Sequence, residues 1–172
     1  MISALIVKAC SRRRRLVVYS VSALIAAVLT YQAFSADDFS GPVSWVYDGD
    51  TIEVEDQGQP VRVRIFGIDC PEKGQPYADQ ARNQTIRLAK GRKVIVQVRD
   101  IDQYQRVVGI VLLPGGRDLG RELLRSGLAW PYDYGPQDRE MDRLAEEARA
   151  AGRGLWRDPR AVPPHVFRRM KK

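Results

Sequence analysis

Hydrophobic and polar residues alternate in several short segments of the chain after residue 42. In the segment VRVRIFGI, Val61, Val63 and Ile65 fall on one face of an extended strand, while Arg62 and Arg64 fall on the other. The segments VSWVY, TIEVE, KVIVQVR and RVVGIVLLP have a similar apolar character and are bounded by turn-forming residues. We therefore predict five strands, of which the first three are joined by short turns into a meander.

Three segments between and after these strands have helical patterns. The first is predicted over residues 77–90, because Pro76 precedes it and Gly91 follows it. Asp118 is predicted to cap a short second helix, and the third is predicted over residues 137–151. Three strands, a helix and two further strands are the order of an OB-fold. The predicted fold class is therefore α+β, a five-stranded OB-fold β-barrel with three helices, preceded by an N-terminal apolar helix.

The N-terminal region differs from the rest of the chain. Residues 16–36 contain no charged side chain and are long enough to cross a bilayer, and the run Arg12 to Arg15 precedes them. This pattern predicts a basic cytoplasmic N-terminus over residues 1–15, followed by a transmembrane anchor or a signal-peptide core. We expect the domain outside the cytoplasm, either anchored to the cytoplasmic membrane or secreted after cleavage near Ser35 and Ala36.

The remaining residues divide into a predicted linker at 37–42, an OB-fold domain at 43–158 and a basic tail rich in Pro and Arg at 159–172. The net charge of the whole chain is +7, but residues 37–172 hold 23 Lys and Arg against 21 Asp and Glu. This near balance is only weak evidence for nucleic-acid binding, because proteins that bind nucleic acid usually have a basic patch on the folded domain. The two cysteines, Cys10 and Cys70, exclude a disulfide framework within the domain, and no obligate protein partner is evident.

The segment DGDTIEVEDQGQPVRVRIFGIDCPE concentrates acidic and basic side chains. Asp50 is predicted to begin one strand and Asp69 to end another, so the meander can bring both carboxylates together. Two carboxylates with a backbone carbonyl and waters suit a hard cation such as Ca²⁺. The alternative interpretation is that Asp48 and Asp50 are turn residues and that Asp69 caps a loop.

Arginine side chains in the same segment are candidates for phosphate binding, because a guanidinium group binds two phosphate oxygens at once. Arg62 and Arg64 share a face of their strand, so the alternation does not choose between them, and either can lie on a solvated face. Glu72 follows Asp69 by three residues, with Pro71 restricting the backbone between them. Glu72 is a candidate general base, or otherwise a helix cap or a surface acid.

Several motifs, in order along the chain, together resemble the staphylococcal nuclease (thermonuclease) family. They are YDGDT, RIFGIDCPE, DQYQR, LLRSGLAW and GLW, and the resemblance runs from about Trp45 to Trp156. It implies an OB-fold nuclease that uses Ca²⁺ to cleave single-stranded or locally open DNA and RNA. The implied products carry 3′-phosphate and 5′-hydroxyl ends. The alternative is a catalytically inactive OB-fold module that binds nucleic acid at the membrane surface.

The resemblance also implies a role for individual residues. Asp50 and Asp69 would bind Ca²⁺ through their carboxylates, and Cys70 would bind it through its backbone carbonyl. Arg64 and Arg106 would bind the scissile phosphate, and Glu72 would activate the attacking water. Tyr104 and Tyr132 would contact a terminal phosphate of the substrate.

One departure from the family concerns the backbone beside the second phosphate arginine. The family usually has glycine where this chain has Gln105. If the backbone at this position requires a positive φ, glutamine is strained there and Arg106 is aimed differently.

Overall fold

A computed structural model describes residues 37–132 and 138–170 of the chain. In these residues, β1 is Phe39–Val46, β2 is Thr51–Asp56, β3 is Gln59–Ile65, β4 is Ile68–Asp69, β5 is Lys93–Ile101, β6 is Val107–Leu112 and β7 is Trp130–Pro131. The helices are α1 at Ala78–Ala89, α2 at Leu119–Arg125, α3 at Arg139–Ala150 and α4 at Pro164–Met170, with a 3₁₀ helix at Gly154–Arg157.

Five of the strands form a closed barrel in the order β1-β2-β3-β6-β5. All neighbours are antiparallel except β3 and β6, which are parallel, and β5 closes the barrel by pairing with the first half of β1. Alternating residues such as Val54, Val63, Val96 and Val111 are fully buried inside it. The five-stranded α+β barrel predicted from the alternation is confirmed.

The helices pack against strands of the two sheets and against one another. The second predicted helix is α2, and the side chain of Asp118 caps it by accepting hydrogen bonds from the backbone N–H groups of Gly120 and Arg121. The third predicted helix is α3, which buries the apolar face that the sequence indicates. The buried residues of that face are Met141, Leu144, Ala145 and Ala148. The same helix contacts β7, which pairs with β4 so that Asp69 lies opposite Trp130.

Two stretches differ from the prediction. The first strand begins at Phe39, inside the predicted linker at 37–42, because Phe39–Pro42 pairs with β5 and closes the barrel. A fourth helix, α4, lies in the tail at 159–172, so the predicted number of three helices is too low for the described residues. Pro164 begins this helix, a position that suits proline because its nitrogen carries no hydrogen to leave unpaired.

The predicted N-terminal apolar helix at residues 16–36 lies outside the described residues, as does the basic segment at 1–15. Among the helices at 37–132 and 138–170, none is long and apolar enough to cross a membrane.

Candidate active site

The turn between β1 and β2 carries Asp50 and is held against α1. The buried hydroxyl of Thr85 donates a hydrogen bond of 2.6 Å to the carbonyl oxygen of Gly49. A Cβ atom at position 49 would lie 2.7 Å from the Cβ of Cys70 and 2.8 Å from the Cβ of Ala81. Glycine therefore allows the turn to approach both α1 and the segment after β4, and this approach brings Asp50 close to Asp69.

Asp50 and Asp69 are joined by a single guanidinium group. Arg64 Nη1 forms an ion pair with Asp50 Oδ1, and Arg64 Nη2 lies 2.9 Å from Asp69 Oδ1. All three residues are buried, with exposed fractions of 3% for Asp50, 2% for Asp69 and 8% for Arg64. Burial alone would lower the pKa of Arg64, but the two carboxylates raise it overall. Arg64 is therefore a permanent cation between two buried carboxylates.

The strand alternation left Arg62 and Arg64 equivalent, and the structure separates them. Arg64 pairs in register with Thr51, next to Asp50, whereas Arg62 pairs with Glu53 further along β2. Arg62 is exposed, and its guanidinium carbon lies 4.3 Å from the centre of the Tyr47 ring. Only Arg64 of these two arginines contacts the buried carboxylates.

Cys70 follows Asp69 and is buried in the same cluster. Its backbone N–H donates a hydrogen bond of 2.6 Å to Asp50 Oδ2, which ties the end of β4 to the β1–β2 turn. Burial raises the pKa of its thiol, so the side chain stays protonated. The observed contact is made by the backbone N–H group, and the role that the resemblance implies for the carbonyl stays a prediction.

Glu72 lies at the rim of the cluster and is oriented by Gln75. The backbone N–H of Glu72 donates to Gln75 Oε1 at 3.0 Å, and the backbone N–H of Gln75 donates to the Glu72 carbonyl at 2.8 Å. The Glu72 side chain is 39% exposed, and its carboxylate forms an ion pair with Arg168 of α4. Arg168 Nη2 also lies 3.0 Å from Asp69 Oδ2. Glu72 and Asp69 are thus brought together through a residue of the tail.

Asp48 adds a further acidic group to the cluster. Its Oδ1 accepts a hydrogen bond of 3.0 Å from the backbone N–H of Asp50. Burial and the neighbouring charge of Asp50 raise the pKa of Asp48 to about 7. The cluster therefore contains the carboxyl groups of Asp48, Asp50, Asp69 and Glu72, against the guanidinium groups of Arg64 and Arg168.

This excess of acidic groups suits a divalent cation. In the described ranges, no group of three or more His, Cys, Asp or Glu side chains has the geometry of a metal site. Asp50 and Asp69 alone supply two buried hard oxygen donors, and Ca²⁺ readily takes its other ligands from backbone carbonyls and water. The residues fit a hard cation, which the side chains of Asp50 and Asp69 would bind.

Arg106 and Tyr104 lie in the loop between β5 and β6, beside the cluster. Asp102 organises this loop, because its carboxylate accepts hydrogen bonds from the backbone N–H groups of Tyr104 and Arg106 and from Arg106 Nε at 2.7 Å. Gln105 has a φ of +60°, so the condition for strain at this position is met. Tyr104 is 70% exposed, and the Arg106 guanidinium lies 5.5 Å from its ring centre.

The loop is placed by the parallel pairing of β3 with β6. Val107 pairs in register with Val63 and Val108 with Arg64, so Arg106 directly precedes the strand that lies next to the one carrying Arg64. The side chain of Arg106 is turned to Asp102 rather than to the buried carboxylates. Arg106 and Tyr104 are therefore neighbours of the cluster and not members of it.

Tyr132 follows β7 and is half-buried. Its backbone N–H donates a hydrogen bond of 2.8 Å to the carbonyl of Gly67, in the turn between β3 and β4. This bond places Tyr132 at the turn that precedes Asp69.

Sequence reasoning missed four side chains that shape this site. Thr85 and Gln75 act through hydrogen bonds to backbone groups, and the sequence indicates no more than a turn position for Asp48. Arg168 lies 96 residues after Glu72 in the chain, so no local pattern relates them. The spacing of DGD was the one available signal, because two aspartates separated by glycine crowd their charges into one turn.

Comparisons with known proteins agree with these motifs. A family model described as staphylococcal nuclease homologue matches residues 62–158. An uncharacterized endonuclease of Escherichia coli is 37% identical over 148 residues, which are 86% of this chain and 96% of that protein. Micrococcal nuclease of Shigella flexneri is 35% identical over 163 residues, which are 89% of this chain and 92% of that protein. The chain belongs to the staphylococcal nuclease family, and it is a nuclease, as its motifs predict.

Proposed function

We propose that this nuclease is a calcium-dependent phosphodiesterase that cleaves single-stranded or locally open DNA and RNA. One observation carries the proposal: a buried arginine, Arg64, bridges two buried aspartates, Asp50 and Asp69, next to the more exposed carboxylate of Glu72. This arrangement supports the proposal, because cation binding, phosphate binding and proton transfer all require charged groups close together.

Asp50, Asp69 and the backbone carbonyl of Cys70 are the proposed ligands of Ca²⁺. When bound, the cation supplies positive charge for the oxygens of the scissile phosphate. The support for calcium is the donor set, which consists of oxygens only, the ligands that Ca²⁺ takes in proteins.

Glu72 is the proposed general base. It takes one proton from a water molecule, the water oxygen forms a bond to phosphorus, and the bond from phosphorus to the 5′ oxygen breaks. The leaving oxygen takes a proton from solvent. One product then carries a 3′-phosphate and the other a 5′-hydroxyl. The partial exposure of Glu72 supports this role, because water reaches its carboxylate.

Arg64 and Arg106 are the proposed phosphate-binding arginines. Charge on the phosphoryl oxygens is greatest in the pentacoordinate transition state, so fixed guanidinium groups stabilise that state more than the bound substrate. Arg64 is already aimed by its two aspartates. Arg106 would turn from Asp102 toward the substrate, and Tyr104 and Tyr132 would contact a terminal phosphate.

The test uses the full-length protein, kept in mild detergent because residues 16–36 are apolar. End-labelled single-stranded DNA and RNA are incubated with Ca²⁺ or with chelator. We expect Ca²⁺-dependent cleavage, and fragments whose 3′ ends are sensitive to phosphatase. Glu72→Gln should lower kcat by about 10²–10⁴ and Arg106→Ala by about 10²–10³.

The control variant is Glu55→Gln, which changes an exposed glutamate of β2 and should leave the rate unchanged. Equal cleavage in chelator would overturn the role of the cation. Binding of DNA without cleavage by the folded wild-type protein would instead favour the inactive binding module.

The proposed location is outside the cytoplasm, with anchoring to the cytoplasmic membrane or release after cleavage near Ser35 and Ala36. It is supported by the uncharged stretch at residues 16–36 and by the arginines that precede it. A C-terminal fusion to a reporter enzyme that folds only outside the cytoplasm should be active. An inactive but full-length fusion would contradict the proposed topology.

A further inference from the structure

The C-terminal helix α4 places a guanidinium group on two of the proposed catalytic carboxylates. Arg168 Nη2 lies 3.0 Å from Asp69 Oδ2, and Arg168 Nη1 lies 3.4 Å from Asp69 Oδ1 and pairs with Glu72. Because Arg64 also binds Asp69 Oδ1, both oxygens of Asp69 are occupied by arginines. The Asp69 carboxylate therefore has no unpaired oxygen for a divalent cation while Arg168 keeps this position.

The tail is also held in place by contacts that are not ion pairs. The side chain of Gln75 is buried, and its Nε2 donates a hydrogen bond of 2.5 Å to the carbonyl of Val162, just before α4. The Oε1 atom of Gln75 accepts the backbone N–H of Glu72. One buried amide therefore connects the tail to the residue proposed as general base.

An apolar cleft beneath the tail adds to this anchoring. Side chains of the tail and of the barrel domain line it together, and they include Pro76, Tyr77, Trp130, Leu155, Phe167 and Met170. Trp130 and Leu155 of this lining are buried and Phe167 is half-buried, so apolar surface shared by the tail and the domain helps to keep α4 near the site without any ion pair. Release of Arg168 from the carboxylates therefore does not require the tail to leave the domain altogether.

The ion pairs of Arg168 are of a kind that a cation can displace. The Arg168 side chain is 42% exposed, whereas that of Asp69 is only 3% exposed. An exposed guanidinium gains little from an ion pair because water solvates it nearly as well. A divalent cation brings twice the charge to the same buried oxygens, and the two positive groups repel each other at such short distances.

From this geometry we infer that α4 is an autoinhibitory segment, in which Arg168 occupies Asp69 and Glu72 until a divalent cation displaces it. In the resting state, the Glu72 oxygen that contacts Arg168 is not available to a water molecule. Arg168 lies beyond residues 62–158, which match the family model, so this device belongs to the tail of this chain. The inference rests on the proposed function of Asp69 and Glu72.

The test measures Ca²⁺ binding directly, without substrate, by titration calorimetry on the full-length protein. Arg168→Ala should bind Ca²⁺ about three to ten times more tightly than wild type, as expected for loss of a competing, partly exposed ion pair. Arg169→Ala changes an exposed arginine of the same helix and should not alter the affinity. Arg168→Lys keeps the positive charge but cannot bind two oxygens in a bidentate manner, so its affinity for Ca²⁺ should lie between those of wild type and Arg168→Ala.

Hydrogen exchange gives a second readout. Addition of Ca²⁺ to the wild-type protein should speed exchange of the backbone amides in α4, and Arg168→Ala should show fast exchange already without Ca²⁺. Cleavage at subsaturating Ca²⁺ should be faster for Arg168→Ala than for wild type.

Different results separate the two proposals. Equal Ca²⁺ affinity of Arg168→Ala and wild type would overturn autoinhibition and leave the calcium-dependent activity standing. A normal Ca²⁺ affinity with a raised KM for DNA would also overturn it, because Arg168 would then bind the substrate. Absence of Ca²⁺ binding in both proteins would overturn the proposed cation site and the autoinhibition together.

Discussion

Thr85 of α1 and Gly49 of the β1–β2 turn are joined by a buried hydrogen bond of 2.6 Å, from the threonine hydroxyl to the glycine carbonyl. The Thr85 hydroxyl is also 3.3 Å from the Ala81 carbonyl, one turn earlier in the helix. A helix side chain thereby holds the turn that carries Asp50, although neither Thr85 nor Gly49 has any chemistry to contribute.

Thr85→Val should therefore weaken both stability and activity. Valine fills nearly the same volume but leaves the buried Gly49 carbonyl without its donor, at a cost of about 1–3 kcal/mol in the free energy of unfolding. The turn and Asp50 then shift relative to Asp69. Urea unfolding and DNA cleavage at fixed Ca²⁺ measure the two effects.

Thr85→Ser is the matched control for this hydrogen bond. It keeps the hydroxyl and should retain most of the cleavage activity, even though it removes a buried methyl group. Equal losses of activity in the valine and serine variants would show that packing, and not the hydrogen bond, positions the turn.

Arg64 and Arg62 lie on the same strand but should respond differently to truncation. Arg64→Ala leaves the buried carboxylates of Asp50 and Asp69 without the cation between them, which should cost about 3–5 kcal/mol of stability in chelator. Arg62→Ala changes an exposed side chain and should cost no more than about 0.5 kcal/mol.

Thermal unfolding with and without Ca²⁺ tests this difference. Addition of Ca²⁺ should restore part of the stability lost in Arg64→Ala, because the cation replaces positive charge between the two aspartates. A similar melting temperature for the two alanine variants in chelator would contradict the bridging role of Arg64.

The barrel was predictable because its signals are local. Apolar residues such as Val61, Val63 and Ile65 alternate along β3 with polar ones. The second helix is bounded by residues that commonly cap helices, Asp118 before it and Gly127 after it. The pairing of β4 with β7 was not predictable, because a strand of two residues is too short to show an alternation of apolar and polar residues.

The site was only partly predictable, since its geometry depends on register and on distant contacts. Alternation did not choose between Arg62 and Arg64; the family resemblance chose Arg64, and the pairing of β3 with β2 shows why only that arginine lies next to Asp50. The position of Arg168 needed the path of the tail back to Glu72. A basic tail rich in proline is usually solvated, so its charges alone did not indicate a contact.

Cys70 should be unreactive in the folded protein. Its side chain is only 4% exposed, and burial raises the pKa of the thiol, whereas the thiolate is the reactive form. In a Cys10→Ser background, a disulfide reagent at pH 8 should modify Cys70 far more slowly in native protein than in urea. Rates that match in the two conditions would contradict the burial.

The Asp102 carboxylate should make the β5–β6 loop sensitive to acid. Partial burial alone would raise the pKa of Asp102, but the hydrogen bonds from the Arg106 backbone and side chain, with that from Tyr104, lower it below its usual value of 3.8. A group whose pKa is lowered by folding stabilises the protein above the pKa of the unfolded chain. This contribution is lost as the pH falls through the lowered pKa of the folded state.

Comparison with Asp102→Asn isolates this effect from the other carboxylates. Wild type should be more stable than the variant by about 1 kcal/mol at pH 5–7, which is the contribution of a hydrogen-bonded ion pair reduced for its partial exposure to water. The difference in the free energy of unfolding should shrink below about pH 4. Urea unfolding of both proteins between pH 3 and 7 measures the difference. The control Asp37→Asn changes an exposed aspartate, and its free energy of unfolding should stay close to that of wild type from pH 3 to pH 7. A difference for Asp102→Asn that grows toward low pH would contradict the lowered pKa.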